Sequence, residues 1–163
     1  MTQYAKETTV SKEASLMEIQ RTLGRYKATA FMYGYGDQGA MVAFEMCGRR
    51  IRFVLRLPDV EDDVFKFQKP RYSWQEHGPR RTAEAQQKHW EQACKQRWRV
   101  LSLVIKAKLE AVESGITEFE DEFMAHIVLP DNSTVGEHVR RSIAVAYETG
   151  VMAPMLPLLG EGS

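Results

Sequence analysis

The sequence has few cysteines, no long hydrophobic run and no net charge, and each absence excludes a class of protein. Cys47 and Cys94 lack the spacing of a zinc site or of a disulfide framework. The longest apolar-leaning stretch, 100–109, contains two lysines and is far shorter than the about 18–20 apolar residues of a membrane helix. Residues 1–10 contain no apolar segment of the signal-peptide type. We therefore expect a cytoplasmic protein from a reducing cytosol, with no membrane partner.

The chain of 163 residues is long enough for one domain with a substantial core, and its composition is that of a globular protein. We expect one domain over 1–163. Its three irregular parts are an N-terminal arm (1–10), a long loop (59–81) and an apolar C-terminal tail (151–163), which we expect to dock on this domain or on a neighbour.

Charge is distributed unevenly along the chain. Residues 49–108 carry fifteen basic and seven acidic side chains, whereas residues 109–163 carry two basic and ten acidic ones. A basic middle segment suits an anionic partner such as nucleic acid. The acidic segment could instead neutralise it, within one chain or between subunits, and both could also be solvated faces.

Three consecutive segments alternate between apolar and other residues, which predicts a three-stranded antiparallel meander. The segments are 28–35, 40–46 and 49–57, with turns at 36–39 and at Cys47-Gly48. A two-residue turn at Cys47-Gly48 would set Phe44 opposite Ile51, whereas a slip of one residue would set Phe44 opposite an arginine. The expected pairs are Glu45 with Arg50, Phe44 with Ile51 and Val42 with Phe53.

Helical spacing and capping residues predict helices before and after the meander, which gives an α+β fold. A short helix is expected over 12–23 after Ser11, and a long one from Thr82 to about Ser114. At about 45 Å the long helix would exceed one small sheet, which favours a homo-oligomer. Two shorter C-terminal helices are expected, each after a capping box. The first follows Thr117–Glu120 and carries Phe119, Phe123 and Ile127 at helical spacing. The second follows Thr134–Glu137 and turns Val139, Ile143 and Tyr147 inward.

Two basic regions are candidates for a nucleic-acid site. On the sheet face opposite the aromatic one, arginines lie beside small residues, where a phosphate backbone could approach. In the 59–81 loop, cations are interleaved with aromatics, as in single-strand binding, where bases stack on rings. The alternatives are a solvated sheet face and a loop whose Phe65, Phe67 and Trp74 cover the core. The candidate residues are Arg50, Arg52, Arg56, Lys69, Arg71, Tyr72, Trp74, Arg80 and Arg81.

An acidic surface around residue 120 is the candidate site for a protein partner, since it could mimic phosphate. Its residues are Glu118, Glu120, Asp121 and Glu122. Glu118, Glu122 and His126 are also spaced as metal ligands would be on a helix, but a further ligand is missing unless His138 or Asp131 supplies it. A solvated acidic face is the simpler interpretation, so we expect no metal site.

No catalytic or cofactor motif is evident. Cys47 lies beside the basic residues Arg49 and Arg50, but no histidine that could activate its thiol is near it in sequence. The glycines Gly34, Gly36 and Gly39 lie in a hairpin without a following helix, which excludes a dinucleotide-binding loop. We therefore expect no enzyme activity and no cofactor.

Four segments resemble a family of uncharacterised proteins of tailed phages and prophages. They are 6–11 (KETTVS), 48–53 (GRRIRF), 105–113 (IKAKLEAVE) and 125–131 (AHIVLPD). The resemblance implies a phage or bacterial origin, and with it the cytosol of a bacterial host, but no activity. The order of meander and long basic helix is also similar to the core of phage single-strand annealing proteins, which is an analogy of fold alone.

The sequence thus predicts a non-enzymatic phage protein that binds nucleic acid, single-stranded by preference, as a recombination accessory or single-strand binder. The alternative is a phage protein that binds and modulates a host protein, such as a defence nuclease, through the acidic surface.

Overall fold

A computed structural model describes residues 8–36 and 39–152 and confirms the α+β fold. The sheet has the order β1-β2-β3 and is antiparallel throughout. A one-turn 3-10 helix, Met124–His126, follows the fourth α-helix. The elements are α1 (Lys12–Arg25), β1 (Ala30–Gly36), β2 (Gly39–Met46), β3 (Arg49–Leu55), α2 (Asp63–Lys66), α3 (Ala83–Glu113), α4 (Phe119–Phe123) and α5 (Val135–Thr149).

The register of the hairpin formed by β2 and β3 is the predicted one. Phe44 lies opposite Ile51, Val42 opposite Phe53, and Glu45 opposite Arg50. Cys47 and Gly48 take φ values of 52° and 70°, the conformation of a two-residue turn that follows the twist of the strands. The apolar pattern and the turn therefore determine the same pairing.

The core lies between one face of the sheet and the helices α1, α3 and α4. Trp98, Ile105 and Leu109 of α3 are fully buried, because their spacings of seven and four residues keep them on one side of the helix. Phe123 of α4 meets Phe44 edge-on, with ring centroids 5.9 Å apart. The N-terminal half of α3 extends beyond this core, as its length predicts, and contacts α2 and the segment before it.

Helix starts follow the predicted caps at three of four positions. The side chains of Ser11, Thr82 and Thr134 each accept a backbone hydrogen bond from the first turn of their helix. Only the last is a full capping box, in which the Glu137 carboxylate also accepts from the Thr134 N–H at 2.7 Å. The capping box predicted at Thr117 is wrong, because Glu118 is the N-cap residue of α4 and makes no side-chain cap bond.

The prediction that Ile127 belongs to the same helix as Phe119 and Phe123 is also wrong. After α4 the chain tightens into the 3-10 helix, and Ile127 then forms a bridge with Ile51 along the outer edge of β3. The N–H of Val128 donates to the carbonyl of Arg50 at 2.8 Å. Residues 127–128 thus cover part of the β3 edge.

The prediction that α5 buries an apolar stripe is wrong for its C-terminal half. Ile143 is 41% exposed and Tyr147 is 90% exposed, while Val139 is only partly buried. The helix packs on the 3-10 helix through its first turns, where Gly136 approaches Ala125 too closely for any side chain. It then extends away from the body of the protein and ends at Gly150 in the left-handed conformation.

Smaller differences concern element ends and the terminal segments. Helix α1 continues through the expected stop at Gly24 to Arg25, and β3 ends at Leu55 rather than at residue 57. Of the predicted N-terminal arm, residues 1–7 lie outside the described part, and the carbonyl of Thr8 accepts a bond from Gln92 at 2.9 Å. Of the predicted tail, residues 153–163 lie outside it too, while Val151 and Met152 are exposed.

Candidate nucleic-acid interface

The 59–81 segment is an ordered structure rather than an irregular loop. Helix α2 occupies its first part and buries Phe65 against α3. Phe67 then forms an antiparallel bridge with Arg80, and the N–H of Gln68 donates to the carbonyl of Pro79 at 2.9 Å. Residues 69–77 therefore form a projecting loop closed at its base, which we call the basic-aromatic loop.

Two close contacts hold the base of the basic-aromatic loop. At Gly78, an added Cβ would lie 2.5 Å from the carbonyl oxygen of Lys69, so the two strands of the base can approach only because this residue is glycine. The ring of His77 stacks on Phe67 with centroids 4.8 Å apart and an interplanar angle of 12°. Both contacts restrict how the loop leaves the body of the protein.

Arg81 anchors the base from beneath. Its guanidinium donates to the carbonyls of Val64, Phe65 and Phe67 at the C-terminal end of α2. A cation at this position satisfies carbonyls that the helix end leaves without partners. Arg81, which the sequence marks as a phosphate contact, thus has a structural role that the sequence did not indicate.

The apex of the basic-aromatic loop presents two stacked rings to solvent. Tyr72 and Trp74 lie with ring centroids 5.5 Å apart and an interplanar angle of 7°. Tyr72 is 59% exposed and Trp74 is 77% exposed. The alternative that Trp74 covers the core is therefore wrong, whereas it holds for Phe65. A turn in which the N–H of Gln75 donates to the carbonyl of Tyr72 at 3.1 Å fixes the spacing of the two rings.

Cations flank the stacked rings along the chain. Lys69, Arg71 and Arg80 are all exposed. Lys69, Arg80 and Arg81 also line a cleft of about 510 Å³ at the start of α3, together with His89. His89 was not identified as a candidate from the sequence. The signal that could have indicated it is its position seven residues after the Thr82 cap, which places it two helical turns inside α3. The structure thus brings Lys69 of the loop, Arg80 and Arg81 of its base, and the first turns of α3 to one place.

The arginines of the sheet are less available than the pattern predicted. Arg52 donates to a carboxylate oxygen of Glu137 at 3.0 Å and to the carbonyl of Asn132 at 2.8 Å, and only 16% of its side chain is exposed. Arg50 lies 3.5 Å from the carboxylate of Glu45 on the neighbouring strand, in an exposed pair. The side chain of Arg56 is exposed. The sheet face is therefore the weaker of the two candidate regions.

Charge pairing between the basic and acidic segments explains part of their asymmetry. Three ion pairs join them: Arg49 with Glu120 at 2.7 Å, Arg52 with Glu137, and Lys108 with Glu122 at 2.8 Å. Two of the four residues proposed for a protein partner, Glu120 and Glu122, are thus paired within the chain. Glu118 and Asp121 are exposed beside them. The host-protein interpretation of this acidic surface stays a prediction.

The suggested metal ligands around α4 do not converge. Glu122 is paired with Lys108, and the imidazole of His126 stacks on Phe53 with centroids 4.0 Å apart. Burial lowers the pKa of His126, which favours the neutral ring. Within residues 8–36 and 39–152, no group of three histidine, cysteine, aspartate or glutamate side chains is arranged to hold a metal ion.

A cluster of Asp131, Ser133 and His138 is a contact that the sequence did not predict. The Ser133 hydroxyl donates to one carboxylate oxygen of Asp131 at 2.6 Å, and His138 Nε2 lies 3.0 Å from the other oxygen and 2.6 Å from the hydroxyl. In a hydrolase triad the carboxylate and the hydroxyl lie at opposite ring nitrogens. Here both lie at Nε2, so the carboxylate cannot orient the ring for proton transfer. The cluster instead fixes the turn before α5.

Comparison with protein-family models, with curated proteins and with solved structures finds no match to this chain. The resemblance to phage proteins therefore stays a prediction. Among the helices of the described residues, none combines the length and the apolar composition needed to cross a bilayer.

Proposed function

We propose that this protein binds single-stranded nucleic acid through the basic-aromatic loop, without catalysing a reaction on it. The observation that carries the proposal is the exposed stack of Tyr72 and Trp74 between cations. A base has an apolar π-face, so it can extend this stack on the open side of Trp74 regardless of sequence. Single strands expose such faces, whereas a duplex buries them within its own stack.

The cations supply the second half of the site. Lys69, Arg71 and Arg80 lie on both sides of the rings along the chain, where they can neutralise the phosphates that join successive bases. The first turn of α3 adds its partial positive charge to the cleft that Lys69 and Arg80 line. Because the base of the loop is fixed by Arg81 and by the Phe67–His77 stack, binding costs little ordering of the protein.

A phage origin, a place in the cytosol of a bacterial host and a role in recombination are part of this proposal. They are supported by the sequence resemblance and by the order of meander and long helix. The proposal does not depend on the sheet arginines, since Arg52 is occupied by Glu137.

A salt series tests the contribution of the cations. Fluorescence anisotropy of a labelled single-stranded oligonucleotide should give a log affinity that falls linearly with log salt, by about 0.7 per phosphate neutralised. The variant Lys69→Ala/Arg71→Ala/Arg80→Ala should lower the affinity at low salt and reduce the slope by about 2, which corresponds to three phosphates.

The matched control removes exposed arginines from α5. Arg140→Ala/Arg141→Ala lowers the charge of the protein in the same sense but leaves the loop intact. It should keep the wild-type slope. If both variants change the slope equally, attraction is a property of overall charge and the loop is not the site.

A further inference from the structure

Strand β1 is an edge strand whose own sequence has none of the usual protection against pairing. Among the described residues, β2 is the only strand that pairs with it. The other edge of the sheet is partly covered by residues 127–128. Edge strands in monomers usually carry charges, prolines or bulges that discourage a second strand. The seven residues of β1, AFMYGYG, contain no charge and no proline.

Aromatic side chains of β1 are exposed where a core strand would bury them. Tyr33 is 54% exposed and Tyr35 is 55% exposed, although both lie on the sheet face that packs on the helices. Phe31 of the same row is only partly buried, and its ring lies 6.3 Å from that of Tyr33. Beyond Phe31 the row contacts α1 through Lys12, whose ammonium lies 4.4 Å from the centroid of the Tyr35 ring, and the Tyr33 ring at the centre of the row stays more than half exposed.

The backbone of these aromatic residues is also directed to the open edge. The two residues that flank the Cys47-Gly48 turn form a hydrogen-bonded pair. The backbone N–H and carbonyl groups of even-numbered residues of β2 therefore bond to β3, and those of odd-numbered residues bond to β1. In the observed register, odd residues of β2 oppose even residues of β1. The N–H and carbonyl groups of Phe31, Tyr33 and Tyr35 therefore point away from β2.

We propose that β1 pairs antiparallel with β1 of a second copy of this chain, centred on Tyr33. This register pairs the whole strand and sets Tyr33 opposite Tyr33, Phe31 opposite Tyr35, and Met32 opposite Gly34. Aromatic side chains then meet across the strands, and such cross-strand pairs stabilise a sheet. Because the strand is uncharged, no like charges meet within it. The product is a six-stranded sheet with two-fold symmetry.

The second copy fits this edge better than an unrelated peptide does. A two-fold interface must be self-complementary, and the Phe31–Tyr33–Tyr35 row is nearly symmetric about its centre. The proposal does not depend on what the basic-aromatic loop binds. On the sequence alone, the length of the long helix predicts an oligomer. The proposal places the contact between the copies at the sheet edge instead.

Sedimentation velocity of the full chain tests the proposal with two tyrosine variants. Tyr33→Lys places two like charges opposite each other on the two-fold axis, and Tyr147→Lys makes the same change on α5, where the ring is 90% exposed. We expect the wild type and Tyr147→Lys to sediment as dimers, and Tyr33→Lys as a folded monomer. A monomeric wild type, a dimeric Tyr33→Lys or a monomeric Tyr147→Lys would overturn the proposal.

Oxidative cross-linking tests the register and does not require a destabilising charge. At a hydrogen-bonded pair the Cα atoms lie about 5.5 Å apart, which suits a disulfide. In a Cys47→Ser background, Tyr33→Cys should form a covalent dimer on mild oxidation, whereas Tyr35→Cys, which faces Phe31 of the second copy, should cross-link much less. Equal cross-linking by both variants would contradict the register.

Discussion

Single residues decided several local structures through chemistry that is readable from the sequence. The hydroxyls of Ser11, Thr82 and Thr134 cap their helices because each precedes a helical pattern with a free first turn. At Thr117 the same reasoning failed, because the N-cap position lies one residue later, at Glu118. A capping box is specific only when the start of the helix is already fixed by its packing.

The carboxyl of Asp131 gives a pH-dependent prediction at this scale. Hydrogen bonds from the Ser133 side chain and backbone, and then from His138, lower its pKa from 3.8 to about 2. A carboxyl whose pKa is lower in the folded than in the unfolded protein stabilises the fold at pH values above its unfolded-state pKa. This stabilisation is lost as the pH falls from about 4 towards 2. The melting temperature of the wild type should therefore fall more steeply over this range than that of Asp131→Asn.

The control for Asp131 is an exposed carboxyl on helix α5. Glu148→Gln removes an acid from α5. Between about pH 5 and about pH 2, the melting temperature of this variant should fall in parallel with that of the wild type, because the Asp131 carboxylate is intact in both. Parallel curves for Asp131→Asn and the wild type would mean that the turn does not depend on this charge.

At the scale of elements, periodicity predicted which residues share a face but not whether that face is covered. The strands, their register and the stripe of α3 follow from spacings of two and of three to four. The stripe of α5 and the aromatic row of β1 have equally regular spacing, yet Tyr147 and Tyr33 are exposed. Coverage depends on how far neighbouring elements extend, which a local pattern does not contain.

A buried tryptophan of α3 and an exposed tryptophan of the basic-aromatic loop should contribute differently to the free energy of unfolding. Trp98 is fully buried among the sheet and helices, so Trp98→Ala should lower the free energy of unfolding by about 3–5 kcal/mol. Trp74→Ala, at the exposed apex of the basic-aromatic loop, should change it by no more than about 0.5 kcal/mol. Urea unfolding followed by circular dichroism measures both.

Similar losses of stability in the two tryptophan variants would contradict this assignment. They would mean that Trp74 supports the fold rather than standing free for a ligand. The indole N–H of Trp98 has no hydrogen-bond partner among the described residues, so Trp98→Phe should cost less than Trp98→Ala.

For the molecule as a whole, the sequence showed the charge asymmetry but not how it is resolved. The ion pair of Arg52 with Glu137 joins residues 85 positions apart, and such a pair depends on the tertiary fold. The aromatic and basic composition of 59–81 did indicate the candidate site. Its division into an anchored base with Arg81 and an exposed apex with Trp74 could not be predicted, because it depends on α2 and the Phe67–Arg80 bridge.

The most direct test of the proposed function is the affinity of the apex variant for a single strand. Anisotropy titrations at low salt should compare the wild type with Tyr72→Ala/Trp74→Ala and with Tyr147→Ala, which removes a still more exposed ring from α5. Each stacked base contributes about 1–3 kcal/mol, so loss of the apex rings should weaken binding by roughly fivefold or more, while Tyr147→Ala should bind as the wild type does. Unchanged affinity in the apex variant, or no binding by the wild type, would contradict the account.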